Sequence, residues 1–273
     1  MQKEIAVGRF DRRVVNDVET RVPSTTILDV PVSLVNMGTA VKQIIAWASA
    51  DASHFVCVRD VHGIMRAQED PKLLDIHRRA DMITPDGMPL VWLSHMRGFA
   101  DVDRVCGTDL VNAVTDASQA NGLRHFFYGG KDGVAERMAA NLKRAYPGIV
   151  VAGTLCPPFG QMSPEDDMNI VRQINAARPD IIWVGLSTPK QEFWMSDHVD
   201  HIHGAVMLGV GAAFDYVTGD IKRAPAWTHR LGLEGMFRFL QEPVRLWRRY
   251  LVLAPKFVWK VIITRKPKGG QPT

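Results

Sequence analysis

The run Ile181-Ile182-Trp183-Val184, four large apolar residues with no polar break before Gly185, most narrows the folds open to this chain. A strand wet on one face would alternate apolar with polar, whereas a short unbroken run marks a strand covered on both faces. Comparable runs recur at His54-Phe55-Val56-Cys57-Val58-Arg59, Met82-Ile83-Thr84, Arg124-His125-Phe126-Phe127-Tyr128, Val150-Val151-Ala152 and Ala205-Val206-Met207-Leu208-Gly209-Val210. Thr25-Thr26-Ile27-Leu28-Asp29-Val30 reads as a first strand. Helix-length segments separate them at 38–50, through Met65 and Leu73 to Ala80, and at 110–119, 134–146, 164–177 (capped by Ser163) and 191–198. The alternation predicts an α/β fold, a mainly parallel sheet with helices on both faces.

Three regions are expected: an N-terminal extension over 1–24, the α/β body over 25–223 and an appendage over 224–273. In the appendage Pro225, Pro243 and Pro255 predict short helices rather than one rod. Charge divides the same way. Twelve Lys/Arg against two Glu give residues 222–273 a charge of +10, which leaves −6 for the rest of the +4 chain. A basic end on an acidic body predicts an anionic partner: lipid head groups, nucleic acid or a phosphorylated substrate. Around those charges stand Phe237, Phe239, Leu240, Leu246, Trp247 and Tyr250, then Leu251-Val252-Leu253-Ala254-Pro255-Lys256-Phe257-Val258-Trp259-Lys260-Val261-Ile262-Ile263. Trp, Phe and Lys together favour a membrane interface over the alternatives, a helix packed on the body or a dimer contact. No apolar run is long enough to span a bilayer, and the first residues lack the apolar core of a secretory signal, so the bulk of the chain is expected in the cytosol. Cys57, Cys106 and Cys156 stand far apart, which argues against a disulfide framework or a zinc site, and the nine histidines show no ligand spacing.

Candidate chemistry gathers where the apolar runs end. Asp86 follows Met82-Ile83-Thr84-Pro85 and precedes Gly87, in a turn that halts the strand beside a helix start. Ligands of open α/β sheets bind at such strand ends, although a helix cap is the plainer use of the aspartate. Gly129-Gly130-Lys131-Asp132-Gly133 can hold phosphate on its backbone N–H groups or serve as an ordinary turn. Gly185-Leu186-Ser187-Thr188-Pro189-Lys190-Gln191-Glu192 offers a hydroxyl, an ammonium, an amide and a carboxylate, suited to a nucleotide sugar or to a helix start capped by Thr188. Gly209-Val210-Gly211-Ala212-Ala213-Phe214-Asp215 ends the last strand. Lys222-Arg223 behind it can neutralise a diphosphate or form a solvated turn. Asp101-Val102-Asp103 matches the metal-holding triplet of many nucleotide-sugar transferases, but it lacks a strong preceding strand and reads as a chance match.

Taken in order, Thr84-Pro85-Asp86-Gly87-Met88-Pro89, Arg104-Val105-Cys106-Gly107-Thr108-Asp109-Leu110, the two stretches beginning at Gly185 and Gly209, Lys222-Arg223-Ala224-Pro225, Gly232-Leu233-Glu234 and Glu242-Pro243-Val244-Arg245 resemble the WecG/TagA/CpsF glycosyltransferases. The resemblance spans about 27–250. It implies a Rossmann-like core and inverting transfer of a sugar from a UDP-sugar to a lipid-diphosphate-linked acceptor, in the assembly of a capsule, exopolysaccharide or cell-wall polymer. No metal or other cofactor is implied. An appendage would bring the enzyme, as a peripheral protein, to the inner face of the bacterial cell membrane. By the same resemblance Asp86 is the general base, Gln191 lies in the pocket, and Arg238, Arg245 and Arg248 bind diphosphate. Lys190, Gly129, Gly130, Gly209 and Gly211 remain candidates for the nucleotide loops. Where some members carry Thr-x-Asn, this chain has Val58-Arg59-Asp60. Asp60, close in size to that amide, stays a candidate for substrate binding, but its charge is ill-suited to a phosphate, which leaves the sugar open. A homo-oligomer stays open, and nucleic acid is not an expected partner. A dehydrogenase on the same sheet lacks its GxGxxG. The remaining alternative is a non-catalytic polyanion- or nucleotide-binding protein.

Overall fold

The computed structural model describes residues 22–50, 52–158, 160, 162–225, 234–241 and 243–264. Eight strands alternate with helices: β1 (Ser24–Ile27), β2 (Val30–Ser33), α1 (Met37–Ala48), β3 (His54–Arg59), α2 (Val61–Ala67), α3 (Pro71–Arg79), β4 (Met82–Pro85), α4 (Met88–Met96), α5 (Gly107–Ser118), β5 (Arg124–Gly129), α6 (Val134–Ala145), β6 (Val150–Leu155), α7 (Pro164–Ala177), β7 (Ile181–Gly185), α8 (Lys190–His198), β8 (Val206–Gly209) and α9 (Ala213–Thr218). Six strands form one sheet in the order β4-β3-β8-β7-β5-β6, and every pairing in it is parallel.

Side chains alternate across each strand, so the sheet divides its apolar residues between two cores. Val56, Val58, Trp183 and Leu208 pack against α1, α5, α6 and α9. Phe55, Cys57, Ile182 and Met207 face the other way, toward α2, α3, α7 and α8. The unbroken apolar runs are thus explained: the inner strands are dry on both faces, and only the edge strand β6 is half-buried along its length. Buried histidines belong to this packing, His125 among them. His125 lies between Ser118 and the Trp183 indole N–H, and burial pushes its pKa down to about 4.

Two elements differ from the sequence expectation. The first expected strand is a hairpin, β1 against β2, outside the main sheet. Leu28 and Asp29 both take positive φ, 46° and 63°, the twist that two-residue hairpin turns require. The expected helix through Met65 and Leu73 is two helices. Asp70 caps the second, accepting from the N–H of Lys72 and Leu73, and Pro71 begins it.

The appendage folds as α10 (Glu234–Gln241), α11 (Pro243–Trp247), a π-helical turn (Arg248–Leu253) and α12 (Ala254–Ile263). Pro255 has no N–H to offer the carbonyl four residues back, and its ring crowds that carbonyl, so a widened turn precedes it. Phe257 is buried against the body, and Lys256 pairs with Glu69 at 3.1 Å. Leu251, Val258, Trp259, Ile262 and Ile263 of this segment are all exposed.

Candidate active site

Parallel strands bring all their C-terminal ends to one edge of the sheet, so the expected site residues converge there whatever their separation in sequence. Asp60 follows β3, Asp86 follows β4, Gly129 and Gly130 end β5, Lys190 and Gln191 open the helix after β7, and Gly209 and Gly211 close β8. The chain leaves β7 toward β8 and leaves the adjacent β5 toward β6, so the topological switch point lies between β5 and β7.

Asp86 is held at its backbone. Its N–H donates to the Arg59 carbonyl at 2.7 Å, and Arg104 Nε donates to its carbonyl. Arg104 Nη2 also reaches the Asp86 carboxylate at 3.2 Å, and one third of that side chain faces solvent. Arg104 is placed by its neighbour: the Val105 N–H donates to the Pro85 carbonyl at 2.9 Å, so the segment runs alongside the end of β4. Beyond it, Cys106 donates to Asp109, which pairs with Arg223. Burial and the nearby Asp86 push the Cys106 thiol well above its usual range, which favours the protonated form.

Asp60 caps α2, accepting from the Gly63 N–H at 3.0 Å, and its other oxygen pairs with Arg249 of the appendage. Burial opposes its charge, but Arg249, then His62 and the Gly63 N–H, hold the carboxyl far below the ordinary carboxylate range. The charge that looked ill-suited to a phosphate is therefore compensated by an arginine from the tail. Because the folded pKa is depressed, the pair's contribution to stability is fully present above the unfolded value of about 3.9 and fades only as pH falls toward the folded one. Asp60→Asn should flatten the acid limb of a stability–pH curve recorded by thermal melts.

Gln191 is 2% exposed, and its Oε1 has no hydrogen-bond partner among the described residues. A buried orphan acceptor calls for a donor, as a sugar hydroxyl or an amide supplies. The glycines beside it leave room: a Cβ at Gly209 would come 3.0 Å from Gln191 Nε2, and one at Gly211 3.4 Å from Oε1. Lys190 is exposed beside it. Thr188 is not the cap of α8, since no side chain caps that helix, and its hydroxyl instead accepts from Arg59 Nη1 at 2.8 Å.

At this switch point, Gly129 has φ 132°, and a Cβ there would fall 2.6 Å from the Gly185 carbonyl group. The Gly130 N–H donates to the Gly185 carbonyl at 3.1 Å. These glycines thus let two chain segments pass in contact. Gly129→Ala should cost about 3 kcal/mol in urea unfolding, through backbone collision and disfavoured φ.

Arg248 is exposed. The side chains of Arg238 and Arg245 lie outside the described residues, as do residues 1–21 of the expected extension. Asp101 and Asp103 sit in the loop beside Asn36, with the Asp101 carbonyl accepting from the Asn36 amide and the Asp103 N–H donating to Val35. Among the described residues no three His, Cys, Asp or Glu side chains cluster as a metal site would require.

Sequence reasoning missed the roles of Arg59, Arg104 and Arg249. Arg104 lay within a quoted motif without an assigned partner. Arg59 carried a signal, a charge at the end of an otherwise apolar run, whose meaning needed the distant Glu192. Arg249 was passed over for its neighbour Arg248.

The family model described as "Glycosyl transferase WecG/TagA/CpsF family" matches residues 25–270. An N-acetylglucosaminyldiphosphoundecaprenol N-acetyl-beta-D-mannosaminyltransferase of Bacillus spizizenii is 34% identical over 196 residues, covering 72% of this chain and 74% of that protein. A Bacillus subtilis protein of the same description is 30% identical over 202 residues, covering 74% of this chain and 76% of its own length. With the parallel sheet and its converging strand ends, these matches establish that the chain belongs to the WecG/TagA/CpsF glycosyl transferase family.

Proposed function

We propose that this chain transfers N-acetylmannosamine, with inversion, from its UDP derivative to an N-acetylglucosaminyl diphosphate carried on a polyprenyl lipid. The observation that carries the reading is the Asp86 carboxylate: partly solvent-facing at the common strand end and steadied by Arg104. In the step, an acceptor hydroxyl attacks the anomeric carbon from the face opposite the leaving group, and its proton passes to Asp86. The bond from that carbon to the diphosphate oxygen breaks, and UDP departs with the bonding pair. Arginines suit the leaving diphosphate because they stay charged and bind phosphate oxygens in pairs. Arg104 and Arg249 stand at this end of the sheet, and the resemblance adds Arg238, Arg245 and Arg248. Cations of this kind remove the need for a metal, and Gln191 is assigned to the sugar.

The transferred sugar and the acceptor follow the two relatives' descriptions, the UDP carrier follows the family resemblance, and Asp60 marks where this pocket departs from some members of the family. No helix among the described residues is long and apolar enough to cross a membrane. The exposed apolar side of α12 and the +10 charge of the tail support peripheral attachment to an anionic bilayer, on the cytoplasmic side. The test is to incubate the chain with UDP-N-acetylmannosamine and the lipid-linked N-acetylglucosamine and to determine the anomeric configuration of the product by NMR. A β-linked disaccharide is expected from the α-configured donor. Retained configuration would rule out the single displacement at Asp86.

A further inference from the structure

We infer that the buried Arg59–Glu192 ion pair is a positioning element that sets Gln191 against Asp86 across the sheet end. The inference rests on the glycosyltransfer reading and deepens it by adding two positioning residues.

Asp86 and Gln191 follow β4 and β7, and two strands, β3 and β8, lie between these. No sheet pairing links their loops directly. Arg59 connects them. Through its backbone carbonyl it accepts the Asp86 N–H at 2.7 Å, and the next residue along the chain is Asp60. Its side chain extends the other way, donating to Thr188 at 2.8 Å and pairing with Glu192, the residue next to Gln191. Thr188 also donates to Glu192 at 3.4 Å, which closes a triangle around the first turn of α8. Arg59 is 2% exposed and Glu192 0%, so neither charge is a solvated surface group.

Such a pair needs a reason other than stability. A buried ion pair gains little over apolar side chains of similar volume, because both charges give up their water. It does supply direction. A guanidinium presents its donors in a planar fork, and two of them held by partners on either side of a helix start, Thr188 just before α8 and Glu192 in its first turn, define where that start sits. The path of the side chain is defined as well: a Cβ on Gly63 would fall 2.7 Å from Arg59 Cδ, so that position must stay bare. One residue thereby places the backbone of the proposed base on one side and the buried amide on the other.

The test uses the full chain with two variants, the double change Arg59→Met with Glu192→Leu, and Arg59→Lys alone. The double change leaves no orphaned charge, so Tm and the donor KM should remain near wild type. Loss of orientation should lower kcat by about 100-fold. Arg59→Lys keeps the charge but has no fork, and it should lower kcat about ten-fold with Tm unchanged. A folded double variant with kcat within about two-fold of wild type would overturn the inference. Should the double variant not fold, Arg59→Lys decides alone: wild-type kcat, or a loss in step with Tm, overturns it. Active wild type with unimpaired variants removes this inference only. Wild type inactive with every UDP-sugar removes the glycosyltransfer reading, and the positioning role falls with it.

Discussion

Asp86→Asn is expected to lower kcat by about 10²- to 10⁴-fold, the range over which a positioned general base acts. The change replaces one carboxylate oxygen by an amide nitrogen and leaves the shape alone. The remaining oxygen still accepts from Arg104, and the backbone contacts to Arg59 and Arg104 do not involve the side chain. Tm should therefore move by no more than a few degrees, roughly 1 kcal/mol in a body of this size. UDP binding, measured by calorimetry, should persist, because the proposed diphosphate contacts are arginines. A variant that keeps full kcat would show that the acceptor hydroxyl loses its proton elsewhere.

The second large effect is expected at the tail. Trp259→Glu combined with Ile263→Glu should weaken sedimentation with anionic phospholipid vesicles by about 100-fold, since each large apolar side chain buried at a bilayer is worth about 1.5–3 kcal/mol. These two residues are 62% exposed in α12, so their replacement costs the fold little. On the inner side Phe257 stays packed and Lys256 keeps Glu69. The solution property to compare is activity toward a short-chain, water-soluble acceptor, which should remain while activity toward vesicle-borne acceptor falls. Unchanged vesicle binding would return the exposed apolar side to the other reading made from the sequence, a contact with a second copy.

Much of this arrangement is legible in the chain itself. The strand runs are visible because burial on both faces leaves no room for polar alternation, and Asp86 is visible because Pro-Asp-Gly ends a strand. What escaped had non-local causes. The hairpin depends on positive φ at Leu28 and Asp29, residues that do not advertise it as glycine would. Arg59 and Glu192 stand 133 positions apart, and only the sheet order β3-β8-β7 brings them into contact. The charge of Asp60 looked like a liability because its partner, Arg249, comes from a separate part of the chain. The glycine stretch at Gly129 and Gly130 had two readings, and its close approach to Gly185 is a contact that no local pattern encodes.

The most direct test of the central claim is transfer by the wild-type chain from a panel of UDP-sugars to lipid-linked N-acetylglucosaminyl diphosphate, with EDTA present throughout. The account predicts that UDP-N-acetylmannosamine alone gives a lipid-linked disaccharide and stoichiometric UDP, at a rate EDTA does not change. Transfer that appears only after a divalent metal is restored, or UDP binding without transfer from any donor, would contradict it.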